Sequence, residues 1–209
     1  LATLQTVGRR KVDVAQERVH AINPQCTVTK FPMFFLPDNA EEIDLPAYDY
    51  VVDCVDTVTA KLELIRRCHA QNVPLLCCLG AAYKLDATQF QVTDLAKTIN
   101  DPLAKVLRKR LRKENIRHVK VVYSPELPLE RIPQEDIACD FRQLCSEEDR
   151  LKCRQEQDVP PSNAWVPATE GLIAGGEVVK DLILRAGTMR IPSPTQDTNS
   201  SVSGSKRGV

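Results

Sequence analysis

Apolar positions along the chain switch between two periods. In GRRKVDVAQERVHAIN (residues 8–23), Val12, Ala15, Val19 and Ile22 fall three or four apart. That spacing predicts a helix, ended by Asn23-Pro24. CTVTKFPMFF (residues 26–35) alternates instead and predicts a strand whose length Pro32 limits. A polar, acidic loop follows to Asp49. YVVDCV is a short apolar run and predicts a buried strand. TVTAKLELIRRCHAQN (residues 57–72) returns to the helical period, with Thr57 as its cap and Leu62, Ile65 and Cys68 near one face. VPLLCCLGA predicts a second buried strand ending at Gly80.

Strands that are apolar on both faces and alternate with helices predict an α/β fold: a mostly parallel sheet with helices packed over it. Further on, KLDATQFQVTDL (residues 84–95) alternates and predicts an extended strand. DPLAKVLRKRLRKEN (residues 101–115) predicts a helix with Asp101 as N-cap and Pro102 in its first turn. VKVVYS predicts another strand. Residues 127–161 are rich in Pro, Glu and Asp and weakly periodic, which predicts a long surface insertion, partly helical around 135–151. ATEGLIAGGEVVKDLIL (residues 168–184) predicts an apolar helix, with Gly171, Ala174 and Gly175 allowing close packing. The Ser-, Pro- and Thr-rich residues 191–209 predict a disordered tail. The resulting division is a main unit over 1–126, an insertion over 127–164, a terminal helix over 165–187 and a tail over 188–209.

Composition narrows this picture only a little. A chain of 209 residues with 43% hydrophobic and 27% charged positions suits one ordinary globular domain with a core of its own. Lys plus Arg and Asp plus Glu both number 28, so net charge says nothing about partners. The eight cysteines form no CxxC pair and no zinc-type spacing, and several lie in apolar runs. They read as mostly buried thiols in a reducing compartment. No signal peptide is visible, and the longest apolar run is roughly half of the ~20 residues that a membrane span needs.

Local charge is more informative. Asp53 and Asp56 end an apolar strand, just before a helix. In open α/β sheets ligands bind beyond the carboxyl ends of the strands. Asp56 there either caps the helix or holds Mg²⁺ beside a phosphate favoured by the helix dipole; Asp53, three residues upstream, orients the turn instead. Lys11, with Arg9 and Arg10, opens a helix against the usual dipole preference, which suits either a solvated face or a nearby phosphate. Lys105, Arg108, Lys109, Arg110, Arg112 and Lys113 form a basic helix, continued by Arg117 and Lys120. It is either a solvated face or a footprint for a phosphate backbone. Cys77 and Cys78 read as core. His20, His69 and His118 have no ligand or triad spacing. GxSxG, P-loop and GxGxxG motifs are all missing from these residues.

VGRRKVDVAQERVHAINP, YVVDCVDTVTAKLELIRRCHAQNVPLLCCLGAAYKLDATQFQVTDLAKTINDPLAKVLRKRLRKENI and VVYSPE resemble the tRNA threonylcarbamoyladenosine dehydratase family, within the ThiF/MoeB/ubiquitin-activating superfamily of adenylating enzymes. The resemblance covers residues 1–126 well and returns weakly around 171–184. It implies a Rossmann-like sheet, a homodimer, and use of ATP and Mg²⁺ to activate the threonyl carboxylate of threonylcarbamoyladenosine beside the tRNA anticodon. Ring closure with loss of water follows. It also implies that Lys11 touches the nucleotide, that Asp56 assists Mg²⁺ and the α-phosphate, and that Thr57 stands where Asn or Ser is usual. In VVYSPE, Pro125 stands where the family has Thr.

The family pattern opens with a strand, a glycine-rich GxGGVG loop, a second strand ending in Asp and an Asn/Arg-rich segment. None of these lies within the 209 residues. The resemblance therefore implies an amino-terminally incomplete site and a chain that by itself binds ATP poorly. It also implies an intracellular protein, cytoplasmic or associated with mitochondria. Two other readings stay open: an enzyme that adenylates a ubiquitin-like carboxyl terminus, and a non-catalytic relative.

Overall fold

The computed structural model describes residues 3–130 and 161–191. Four strands form one sheet: β1 (Val51–Asp53), β2 (Leu75–Cys78), β3 (Gln91–Asp94) and β4 (Lys120–Tyr123), in the order β1-β2-β4-β3. β1, β2 and β4 run parallel, with Asp53 opposite Cys77 and Cys77 opposite Val121; β3 pairs antiparallel with β4. Helices α2 (Val58–Ala70) and α3 (Pro102–Lys113) cover one face, and α4 (Val166–Arg185) covers the other. This is the α/β, mostly parallel, helix-flanked sheet that the alternation of elements predicts.

The strand pattern decides which helix packs where, because successive side chains point to opposite faces. Cys77, Leu79, Val121 and Tyr123 point towards α2 and α3, where they meet Leu62, Ile65, Leu107 and Leu111. Leu76, Cys78 and Val122 point the other way, against Val166 and Ala174 of α4. A smaller cluster of Leu45, Leu64, Cys68 and Val73 closes the far side of α2. α3 starts where Asp101-Pro102 predicts: the Asp101 carboxylate accepts the Ala104 N–H at 2.7 Å and so caps the helix. α4 is held over the sheet by Asp181, which accepts from Tyr50 Oη at 2.7 Å and from Lys120 Nζ at 2.7 Å.

Several expectations differ. Residues 26–35 form no strand: among the described residues no sheet neighbour pairs with them, and Phe34 is 87% exposed. Alternation predicts a face, but a strand also needs a ladder for its backbone groups. α1 (Lys11–Ile22) forms as its period predicts, yet none of its residues is fully buried. Within residues 84–95 only Gln91–Asp94 is strand, preceded by a 3-10 turn at Ala87–Gln89. In α4 the buried face is Val166, Glu170 and Ala174. Gly171 and Gly175 face open space, so close packing uses only Ala174 of the three small residues. The helical reading of 135–151 and nearly all of the tail lie outside the described residues. No helix among the described residues is long and apolar enough to cross a membrane.

Candidate active site at the carboxyl end of the sheet

β1 stops at Asp53, and after four intervening residues α2 begins at Val58. The turn between them carries Asp56 and Thr57, both exposed. Thr57 is the N-cap of α2, but its side chain caps nothing. Its hydroxyl instead donates to Asp56 Oδ1 at 3.3 Å. Neither side chain therefore makes the capping hydrogen bond that pattern alone allows. The first N–H groups of a 13-residue helix stay without a side-chain partner, next to a free carboxylate. Uncapped N–H groups and the positive end of the dipole favour an anion there.

Asp53 plays a different part. It is 1% exposed, and its Oδ1 accepts the Val55 N–H at 3.0 Å, which sets the turn. Its Oδ2 accepts from Lys61 Nζ at 3.1 Å and from the Cys77 thiol at 2.9 Å. Lys61 Nζ also donates to the Cys78 carbonyl at 2.6 Å. Burial pushes the Cys77 thiol well above its ordinary range, so it stays a neutral donor. Lys61 escapes a reading that seeks chemistry only in exposed charge. Its signal is a lysine one turn before Ile65, on the stripe that also holds Cys68.

On the α4 side of the same edge lie Cys54, Cys78 and Glu170. Cys54 is exposed, unlike the buried Cys68, Cys77 and Cys78. A hydrogen bond from the Cys78 side chain lowers its thiol to about 7. Glu170 is 6% exposed, and its Oε1 has no hydrogen-bond partner among the described residues. Burial pushes its carboxyl up to about 8, and the Cys54 charge adds to that shift. Nearby, the buried Lys84 Nζ donates to the Ser124 carbonyl at 2.5 Å and lies 3.7 Å from Asp101 Oδ2. Glu126 of VVYSPE accepts the Leu85 N–H at 2.9 Å and the Asp86 N–H at 3.1 Å, tying that element to the β2–β3 connection.

The remaining candidates are spread out. Lys11 is exposed at the start of α1, and no hydrogen bond or ion pair links it to Asp56 among the described residues. Lys105, Lys109, Arg110, Arg112 and Lys113 are exposed along α3. Arg108 is not part of that surface. Its guanidinium turns inward and donates to the Thr98 carbonyl at 2.9 Å and to the Thr98 hydroxyl, bracing the 3-10 turn at Leu95–Lys97. Lys120 is likewise taken up by Glu177 and Asp181 of α4.

A mostly parallel sheet with helices on both faces, ending in an exposed carboxylate beside a helix start without a side-chain cap, defines a Rossmann-like α/β protein. The ThiF family matches residues 1–184, and the chain belongs to that family, among its tRNA threonylcarbamoyladenosine dehydratases. It is 41% identical over 183 residues to the tRNA threonylcarbamoyladenosine dehydratase of Bacillus subtilis, covering 87% of this chain and 69% of that protein. The Escherichia coli enzyme of the same name is 36% identical over 194 residues, covering 88% of this chain and 70% of that protein. A crystal structure of the E. coli dehydratase with AMP superposes with a TM-score of 0.71 at 33% identity, over 90% of this chain and 70% of that one. Another, with ATP, gives 0.71 at 31% identity with the same coverage. The molybdopterin-synthase adenylyltransferase of E. coli is 36% identical over 111 residues, 53% of this chain and 41% of that protein.

Proposed function

We propose that this chain acts in the ATP-dependent dehydration of threonylcarbamoyladenosine in tRNA, with Asp56 at the nucleotide phosphates. The observation that carries the proposal is the exposed Asp56 carboxylate beside the uncapped start of α2. The similarity to dehydratases that bind ATP and AMP supports it. Asp56 would hold Mg²⁺ through its free carboxylate oxygen. No cluster of three or more His, Cys, Asp or Glu that could hold a metal occurs among the described residues. A hard cation of this kind takes one carboxylate from the protein and its other oxygens from substrate phosphates and water. Such an ion, when bound, neutralises charge that develops on the α-phosphate. The N–H groups at the start of α2 orient that phosphate, and Thr57 fixes the Asp56 rotamer. Lys11 adds a cation to the nucleotide.

The exposed residues of α3, Lys105, Lys109, Arg110, Arg112 and Lys113, would meet the tRNA backbone at its phosphates. The outward apolar residues of α4, Leu172 and Val179 among them, would meet a second copy of the chain. Asp56→Asn is expected to abolish ATP-dependent formation of the cyclic nucleoside, measured by mass spectrometry of digested tRNA. Wild-type conversion by that variant would overturn the role of Asp56.

One observation favours a second reading. Cys54 is exposed two residues from Asp56, with its thiol lowered to about 7. In an enzyme that adenylates a ubiquitin-like carboxyl terminus, the Cys54 thiolate would attack the acyl adenylate, forming the thioester as the acyl–phosphate bond breaks and AMP leaves. A thioester on Cys54, trapped with such a partner and ATP and cleaved by hydroxylamine, would select this reading over the first.

A further inference from the structure

We propose that Lys61 is a positioning residue, whose buried ammonium fixes the turn that presents Asp56; the catalytic part of this proposal rests on the reading of Asp56 above. The turn between β1 and α2 is four residues long, and the one hydrogen bond of the Asp56 side chain among the described residues is to Thr57. The place of Asp56 is thus set by what holds the two ends of the turn. Lys61 holds both. Its backbone N–H donates to the Thr57 carbonyl at 3.0 Å, closing the first turn of α2. Its side chain reaches back to Asp53 Oδ2 at the end of β1 and to the Cys78 carbonyl at the end of β2. Asp53 passes the constraint on through Val55 N–H, one residue from Asp56.

Stability alone is a poor reason for such a pair. Both side chains are buried, at 1% and 0% exposure. The desolvation of two charges offsets most of their attraction, and apolar residues of similar volume often serve a core as well or better. Directional hydrogen bonds from α2 to both β1 and β2 do what an apolar side chain cannot: they set the angle at which α2 leaves the sheet. The thiol of Cys77 completes the set by donating to the same carboxylate oxygen.

The test replaces the pair together, as Asp53→Leu with Lys61→Met, in the full chain. Three quantities are read: the melting temperature, hydrogen exchange of the amides of residues 61 and 62, which close the first turn of α2, against those of α3, and kcat for ATP-dependent conversion of modified tRNA. The expected result is a melting temperature near wild type and exchange at residues 61 and 62 at least about tenfold faster, with α3 unchanged. kcat should fall about a hundredfold, as expected for an active group displaced by about 1 Å. Wild-type exchange together with wild-type kcat would overturn the proposal. Faster exchange with wild-type kcat would leave Lys61 as the anchor of the turn and remove Asp56 from the reaction. Should the double variant not fold, Lys61→Arg decides. It keeps the charge but moves the donors, so the exchange change and a higher Mg²⁺ requirement are expected; neither appearing overturns the proposal.

Discussion

The Thr57 hydroxyl donates to Asp56 Oδ1 at 3.3 Å and leaves the start of α2 uncapped. Asp101 does the opposite at the start of α3, where it caps Ala104 and lies near the buried Lys84. Substitution should separate the two. Thr57→Val should change stability by less than about 0.5 kcal/mol in denaturant unfolding, because no side-chain cap is removed. Asp101→Ala should cost about 3 kcal/mol, since it removes a cap and leaves a buried lysine without its carboxylate. Equal losses would mean that Thr57 does cap α2.

Glu170 gives the fold a dependence on pH. Its carboxyl is pushed up to about 8 by burial; the charges of Cys54 and Asp101 add to the rise, and those of Lys61 and Lys84 oppose it. Between its unfolded value near 4.5 and about 8, the folded state keeps a proton that the unfolded state has lost. Stability from this group is full below the lower value and falls as pH rises to the upper one. The drop from pH 5 to 8 is on the order of 3 kcal/mol. Glu170→Gln should flatten that slope relative to wild type in unfolding measured across the range. Parallel slopes for the two proteins would refute the assignment.

Thiol reactivity should be uneven. Iodoacetamide at pH 7.5 is expected to modify Cys54 well before Cys68 and Cys77, as read by peptide mass spectrometry. Cys54 is exposed and its thiol is lowered to about 7 by the Cys78 side chain, whereas burial pushes Cys68 up to about 11. Comparable rates for Cys54 and Cys68 would contradict this.

The basic helix divides into a surface and a brace. Charge reversal at Arg110, Arg112 and Lys113 should weaken tRNA binding and lower the salt slope by about 1 for each phosphate no longer neutralised. Melting should hardly change, because these side chains are exposed. Arg108→Glu should instead lower the melting temperature, since Arg108 donates to the turn at Thr98. A binding curve unchanged by the triple reversal would return α3 to a solvated face.

The local pattern determined a good deal of this protein. Alternation within LLCCL and KVVY sorted side chains to the two faces of the sheet, and Asp101-Pro102 marked the start of α3 within a residue. Asp56 was legible as a candidate from its place between an apolar strand and a helix. Period and capping are properties of a few consecutive residues, so they can be read from the chain alone. Tertiary structure decided the rest, because it depends on which distant segments meet. Residues 26–35 alternate yet find no ladder partner among the described residues. Arg108 belongs to a basic run but meets Thr98, ten residues back. Lys61 reads as a helix lysine until Asp53 and the Cys78 carbonyl, brought together by adjacent parallel strands, surround it. A buried charge is tolerated only where such partners converge, and only the packed fold brings them together.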